Sequence, residues 1–517
     1  MTGLDRSARA RTRPAVPLPQ PPVAAGPERT EFQVVRRQEE QGDRFEVSST
    51  YQLPDLTGLT PQGGRWTQSH VQLVDTYVDT ASARLAQSSV TLRRQAAGPD
   101  PGWHLSAPDA DARAEISDSS PTSSLPQELA RLVVGVRAGE PVATVAQVTV
   151  TRTAHQLLDG ADLPLIELID DRVEGSTLGE VVRTSSWREI TVEAGPGAPR
   201  RLHKTVRSRV LAAGARPSDS ASHLQRTLGF PAHRRTVPDH RTVGGLAWAY
   251  LAEQCQEIVR CDIRLRLDEP VVHTFRVAIR RLRSTVRVFA PLFEAEAATQ
   301  LQAELVWLAG LLGEVRDREV LLERLARQLA ELPAEVVLGP VAAHIETTLL
   351  LECSEHQARL AEAMDGDRYQ LLMRTLLRWQ TRPPLTDQAA KPVANADRYL
   401  RRAEKKVTSR LAHADGDVAA LHSARKAAKR YRYAAELAGQ AGGKTSRILK
   451  STTELQTLLG EHQDSVVSAE FLRRLGAQAG ADEAQNGFTY GFLLAQEWQR
   501  AQRIRADAAR RWGRKGA

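Results

Sequence analysis

The chain carries 70 Lys and Arg against 62 Asp and Glu over 517 residues, a formal net charge of +8 that suits a polyanionic partner. Aromatic residues are 5% of the total, too few for the stacking platforms that hold single-stranded nucleic acid, and three cysteines without CxxC spacing exclude a disulfide framework or a zinc site. No stretch approaches the roughly 20 uninterrupted apolar residues that span a bilayer, so a cytoplasmic protein of two or three domains, with no membrane partner, is predicted.

Residues 1–30, rich in arginine, proline and alanine without a continuous apolar core, read as a disordered tail. From 31 to 229, short or alternating apolar runs ("DRFEVSST", "SVTLRRQ", "GWHLSAP", "VATVAQVTVTRTAHQLL", "LPLIELIDDRV", "SWREITVEA") read as six or more antiparallel strands of a sheet or barrel. "SLPQELARLVVGV" and "RLHKTVRSRVLAAGA" read as helices. A linker at 230–243, with Pro231 and Pro238, leads into a helical part at 244–512. The predicted fold class is α+β, an antiparallel β-barrel with helices followed by an all-α domain.

"DRFEVSSTYQLPDLTGL", "YVDTASARLAQSSVTLRR", "GWHL", "ELIDDRV", "WREITVE" and "LAAGARPSDSASHLQRTLG" cover nearly all of 31–229 and resemble the CYTH domain of the triphosphate tunnel metalloenzymes. The resemblance implies an eight-stranded barrel whose basic side chains grip a triphosphate while glutamates hold Mg or Mn for hydrolysis. The family's ExExK strand stands here as Glu40, Gly42 and Arg44, and Asp43 falls on the wrong face of a regular strand. Arg93 and Gln95 replace an Arg-x-Arg pair, and Ser106 replaces a lysine. Arg152 is left with Thr149 and Thr151, Thr191 separates Glu189 from Glu193, and His223 replaces a late lysine. Each missing cation removes a charge-assisted hydrogen bond to phosphate worth about 1.5–3 kcal/mol. The expectation is a catalytically inactive domain that requires no cofactor. The metal-ligand candidates that remain are Glu40, Glu167, Glu189 and Glu193, with Asp170 and Asp171 beside Glu167. An active domain would be a metal-dependent triphosphate hydrolase.

In the helical part the strongest signal is a duplicated basic pattern. "HTFRVAIRRLR" and "HSARKAAKRYR" place His273, Arg276, Arg280, Arg281, Arg283 and His422, Arg425, Lys429, Arg430, Arg432 at identical spacing, 149 residues apart. Steps of three and four put His273, Arg276, Arg280, Arg283 and Arg287 on one helical stripe, with Phe275, Ile279, Leu282, Val286 and Phe289 on another. A single charge run is usually a solvated face. Duplication of the whole pattern favours a phosphate-rich ligand, because a guanidinium makes paired hydrogen bonds to phosphate and stays charged.

"LAGLLGEVRD" at 308–317 and "LQTLLGEHQD" at 455–464 are a second duplicated element. Gly313 and Gly460 are expected to allow close helix approach, and Glu314, Asp317, Glu461 and Asp464 to orient the basic helices. Together the two elements resemble the CHAD domain. That resemblance implies two pseudo-symmetric helical bundles, at about 244–390 and 391–512, that bind inorganic polyphosphate through the residues above, with Lys426 beside them. Lys429 stands where the first copy has Arg280, keeping the charge but losing the fork. The predicted partner is polyphosphate or its granules; a nucleic-acid backbone is the alternative ligand for the same faces.

Overall fold

The computed structural model describes residues 33–38, 42–109, 112–120, 122–179, 181–218, 222–229, 238–413, 418–440, 446–481 and 486–512. The expected tail, Glu40 and most of the expected linker lie outside them.

Ten strands form one antiparallel sheet: β1 (Gln33–Gln38), β2 (Asp43–Val47), β3 (Arg65–Thr80), β4 (Thr91–Ala97), β5 (Gly102–Asp109), β6 (Ala112–Asp118), β7 (Val142–Leu158), β8 (Pro164–Thr177), β9 (Thr184–Ala194) and the two-residue β10 (Arg216–Pro217). Their order is β1-β6-β5-β4-β3-β7-β8-β9-β2-β10. β1 and β2 follow each other closely in sequence yet pair near opposite ends of the sheet, so the sheet curls round. No ladder among the described residues closes it into the expected barrel. β3 pairs with β7 along its whole length although its first half, "RWTQSH", has no apolar alternation to announce it.

Short helices α1 (Arg84–Gln87), α2 (Gln127–Leu132), α3 (Val134–Arg137), α4 (Arg200–Ala212) and α5 (His223–Thr227) decorate the sheet. α4 covers one face: its Val206 and Val210 pack with Phe45, Leu168, Ile190 and Val192 in a separate small core.

Among the described residues, nine longer helices follow: α6 (Val243–Arg266), α7 (Val272–Val288), α8 (Ala295–Ala330), α9 (Val341–Asp365), α10 (Asp367–Thr381), α11 (Ala396–Ala412), α12 (Val418–Gln440), α13 (Ser446–Gly480) and α14 (Phe488–Trp512). Thr242 caps α6 by accepting from the Gly245 amide at 3.0 Å, and Asp268 at φ 58° with Pro270 behind it ends the helical path. On α7 the apolar stripe Phe275, Ile279, Leu282 and Val286 is wholly buried, as its spacing requires. Each such side chain contributes about 1.5–3 kcal/mol through burial.

One core runs through both parts of the chain. Leu92, Leu105 and Ile116 of the sheet, with Leu129 and Val133, join Leu251 and Ile258 of α6 and the apolar faces of α7 and α8. Gly135 on α3 permits this packing, since a Cβ there would lie 2.3 Å from Oδ2 of the buried Asp262 on α6. Arg374 of α10 donates to the Ala138 carbonyl at 3.0 Å, and Arg264 pairs with Asp109 at 3.5 Å. Cutting the chain at 230–243 would therefore expose apolar surface on both pieces.

The far end of the helical part is held by a buried ion pair. Arg324 of α8 donates to Glu497 of α14 at 2.8 and 2.6 Å, and to the Ser465 hydroxyl of α13 at 2.7 Å. Glu497→Ala leaves that guanidinium without its carboxylate and is expected to cost about 3–5 kcal/mol, read as a lower urea midpoint. Among the described residues, no helix is long and apolar enough to cross a membrane.

Candidate functional site

The two basic stripes converge. α7 and α12 pack against each other, bringing Arg276 and Arg280 of the first repeat into the field of Arg425 and Lys429 of the second. One step along, Arg283 and Arg287 meet Arg430, together with Arg410 of α11. The result is a half-buried cradle of cations drawn from both repeats, rather than the freely exposed stripe that the spacing alone suggests.

The cations divide by what they touch. Arg276 pairs with Asp317 at 3.0 Å and reaches the Gly313 carbonyl at 3.3 Å. Arg281, expected as a ligand contact, pairs with Glu436 at 3.2 Å, and Tyr250 of α6 donates to the same carboxylate at 3.2 Å; Arg432 lies 3.5 Å from it with its Nε still lacking a hydrogen-bond partner among the described residues. Glu436 thus ties three helices together; nothing in the repeat pattern marks it. Arg280, Arg283 and Arg425 each keep a buried Nε with no hydrogen-bond partner among the described residues. Lys426 is exposed, outside the packed cradle, as is His273.

Burial and the crowding of like charge shift these groups. Burial, then Arg425, Arg280, Arg276 and Arg432, pull the Lys429 ammonium down to about 7. Burial, then Arg287, Arg410 and Arg283, bring Arg430 down to about 10. Arg283 is lowered by burial and Arg287; Arg425 is lowered by burial and its arginine neighbours, against the pull of Asp464 and Asp317. His273 and His422 are lowered as well, the first by burial and Arg316, the second by burial and Lys426, so both are neutral at pH 7. A site that holds more cations together than Asp317 and Asp464 can match is costly on its own and is relieved by an anion.

The second duplicated element supplies the floor. A Cβ on Gly313 would stand 3.8 Å from Arg276 Nη2, and one on Gly460 would stand 3.5 Å from Arg425 Nη2. The glycines therefore face the guanidinium groups rather than a neighbouring backbone, which corrects the expected role in helix approach. Asp317 is exposed beside Arg276, whereas burial raises the Asp464 carboxyl against Arg425 and Arg324. Glu314 is turned aside to Arg318 and His356, and Glu461 is exposed.

In the sheet the metal candidates separate. Glu167 stands opposite Glu193 in the β8/β9 register, and Glu189 opposite Asp171. Glu189 and Glu193 are four residues apart on one strand, about 13 Å, too far to share an ion. The group that does come together is Asp171, Glu189 and His223, with ligand atoms within 4.8 Å of one another. These are already engaged: Arg152 donates to both Asp171 oxygens at 2.8 Å, and His223 and Trp187 bond Glu189 at 2.7 and 3.0 Å. Burial opposes the charge on Glu189, but those hydrogen bonds outweigh it and hold its carboxyl below the usual range.

The same face carries Arg93 on Asp75 at 2.7 Å, and its middle is filled by Tyr77, Val148, Val150, Val173 and Leu224. Ser106, at the expected lysine position, accepts from Arg113 at 2.9 Å. Thr149 and Thr151 lie on the opposite face from Arg152, so they do not stand in for lost cations of this site. Asp43 is likewise on the outer side, paired with Arg207 at 3.1 Å, as its register predicts.

The model of the CHAD domain family matches residues 249–473. An uncharacterized protein of Mycobacterium tuberculosis (strain H37Rv), Rv2226, is 30% identical over 488 residues, covering 89% of this chain and 93% of its own length. Among solved structures, the CHAD domain from the plant Ricinus communis aligns at 28% identity and a TM-score of 0.41, over 52% of this chain and 91% of its own. PptA from Streptomyces chartreusis aligns at 21% identity and a TM-score of 0.46, over 52% and 99%.

Proposed function

Because the chain carries a CHAD domain and belongs to the same family as the mycobacterial protein, we propose that it binds inorganic polyphosphate in the cradle between α7 and α12. The observation that carries this reading is the convergence of Arg280, Arg283, Arg425 and Lys429 with buried guanidinium nitrogens left unpaired. A linear phosphate polymer offers closely spaced acceptors of the right charge, and arginine forks suit them. Half-burial of the cradle favours a slender chain over a duplex. The test is a titration of the full chain with long-chain polyphosphate in the presence of excess RNA. Binding that survives the competitor supports the reading, and binding that RNA abolishes favours a general sugar-phosphate ligand.

For the sheet part the reading is an inactive, CYTH-like scaffold that packs against the helical part and shares its core. Asp171, Glu189 and His223 are chemically able to hold a divalent ion, which would supply Lewis-acid polarisation of a phosphate oxygen. Arg152 would have to leave Asp171 first, and Arg93, a second cation expected to grip the substrate, is committed to Asp75. Purified protein with Mn or Mg is therefore expected to release no phosphate from tripolyphosphate. Hydrolysis that Glu189→Gln abolishes would overturn the scaffold reading.

A further inference from the structure

The cradle does not end at Arg430. Arg410, which adjoins Arg430 together with Arg283 and Arg287, is the last member of a second basic ridge on α11. Arg398, Arg402, Lys406 and Arg410 follow one another at intervals of four residues, the spacing of a ridge on a helix surface. From first to last the ridge runs about 18 Å at 1.5 Å per residue. Arg398, Arg402 and Lys406 are exposed, with Arg401 and Lys405 exposed alongside. The helix buries Ala396, Tyr399 and Val407, and the inclined ridge turns toward that packed side at its Arg410 end, so packing fixes its orientation.

No carboxylate among the described residues pairs with Arg402, Lys405, Lys406 or Arg410. Of the acids on α11, Asp397 sits in the first turn and Glu404 lies near Tyr431. Arg410 itself donates to the Ser423 carbonyl of α12 at 3.2 Å, which anchors the inner end of the ridge to the cradle helix.

Resting on the polyphosphate reading of the cradle, we propose that this ridge carries the distal stretch of the same polymer once it leaves the cradle. A short phosphate oligomer is spent on the half-buried cations. Only a longer chain reaches Lys406 and Arg402. Arg398, Arg402 and Lys406 stand open to solvent in a row, so they recognise repeating charge and not a headgroup or a base. Its contribution is release of counterions along the polymer, and it acts at the high local concentration set by the segment already held. Arg402 and Lys406, outside the duplicated pattern, thus set a preference for chain length.

The experiment compares the full chain with Arg402→Glu/Lys406→Glu, titrated with tripolyphosphate and with long-chain polyphosphate over a range of salt. Long-chain affinity is expected to fall about tenfold or more, tripolyphosphate to stay within about twofold, and the logarithmic salt slope to shrink by about two. Arg359→Glu/Arg378→Glu makes the same change of net charge on α9 and α10 and is expected to leave both ligands nearly unaffected. Equal losses for both ligands, an unchanged long-chain affinity, or an equal effect of the α9/α10 variant would each overturn the proposal. A wild-type chain that binds tripolyphosphate no more weakly than the polymer sinks the ridge alone. A wild-type chain that binds neither sinks the cradle reading with it.

Discussion

Arg280→Met/Arg283→Met is expected to lower affinity for long-chain polyphosphate by about a hundredfold or more while raising the melting temperature of the free protein. Each substitution removes charge-assisted hydrogen bonds worth about 1.5–3 kcal/mol, and together they amount to roughly two to four decades of affinity. The stability gain has a separate cause. Both guanidinium groups hold a buried Nε without a partner, and neither pairs with a carboxylate among the described residues. Methionine keeps most of the apolar stem while discarding the stranded donor and the repulsion, a trade of stability against function. A rise of about 1 °C per kcal/mol relieved is expected in a thermal melt, because the entropy of unfolding grows with chain length. Arg281 lies between these two residues in sequence but is bound to Glu436, so Arg281→Met is expected to do the reverse, lowering stability and sparing affinity. A double variant that loses stability along with binding would mean that the stripe is structural.

Binding of polyphosphate near pH 8 is expected to take up about one proton, and Lys429 is expected to be its site. In the folded protein Lys429 titrates at about 7 rather than 10.5, because burial and four surrounding arginines disfavour its charge. Between those values the unfolded chain holds a proton that the native chain has released. Stability therefore rises with pH across that window, and below about pH 7 the full repulsion is present. A bound phosphate reverses the local field and restores the ammonium. Affinity should then fall as pH rises above 7, by at most about tenfold per unit for one linked proton.

Calorimetric titration at pH 8 in two buffers of different ionisation enthalpy counts the protons directly. Lys429→Met is expected to bring the count close to zero. His273 and His422 are already depressed below their ordinary value, so they contribute only under more acidic conditions. An unchanged proton count in Lys429→Met would contradict the assignment.

What the sequence made legible was whatever repeats or alternates. The spacing of Arg276, Arg280 and Arg283 against Phe275, Ile279 and Leu282 defined both faces of α7, because a helix converts spacing directly into direction. Register along a strand likewise put Asp43 on the outer side of β2. Contacts between distant segments left no such trace. Glu436 pairs with Arg281, yet it lies one turn beyond the pattern in α12 and has no counterpart in α7. Arg410 joins the cradle from α11, 20 residues before Arg430, because of how α11 packs. The strand pairing that sets Glu189 beside Asp171 and His223, rather than Glu193, depends on which strands become neighbours. β3 was hidden because its exposed half has the composition of a loop and is held as a strand by its pairing with β7.

The most direct measurement is an experimental structure of the full chain with long-chain polyphosphate bound. Phosphate oxygens are expected within about 3 Å of Arg280 Nε, Arg283 Nε and Arg425 Nε, three donors that lack hydrogen-bond partners among the described residues. Phosphate density lying elsewhere on the surface, with those three nitrogens still unpaired, would contradict the central claim.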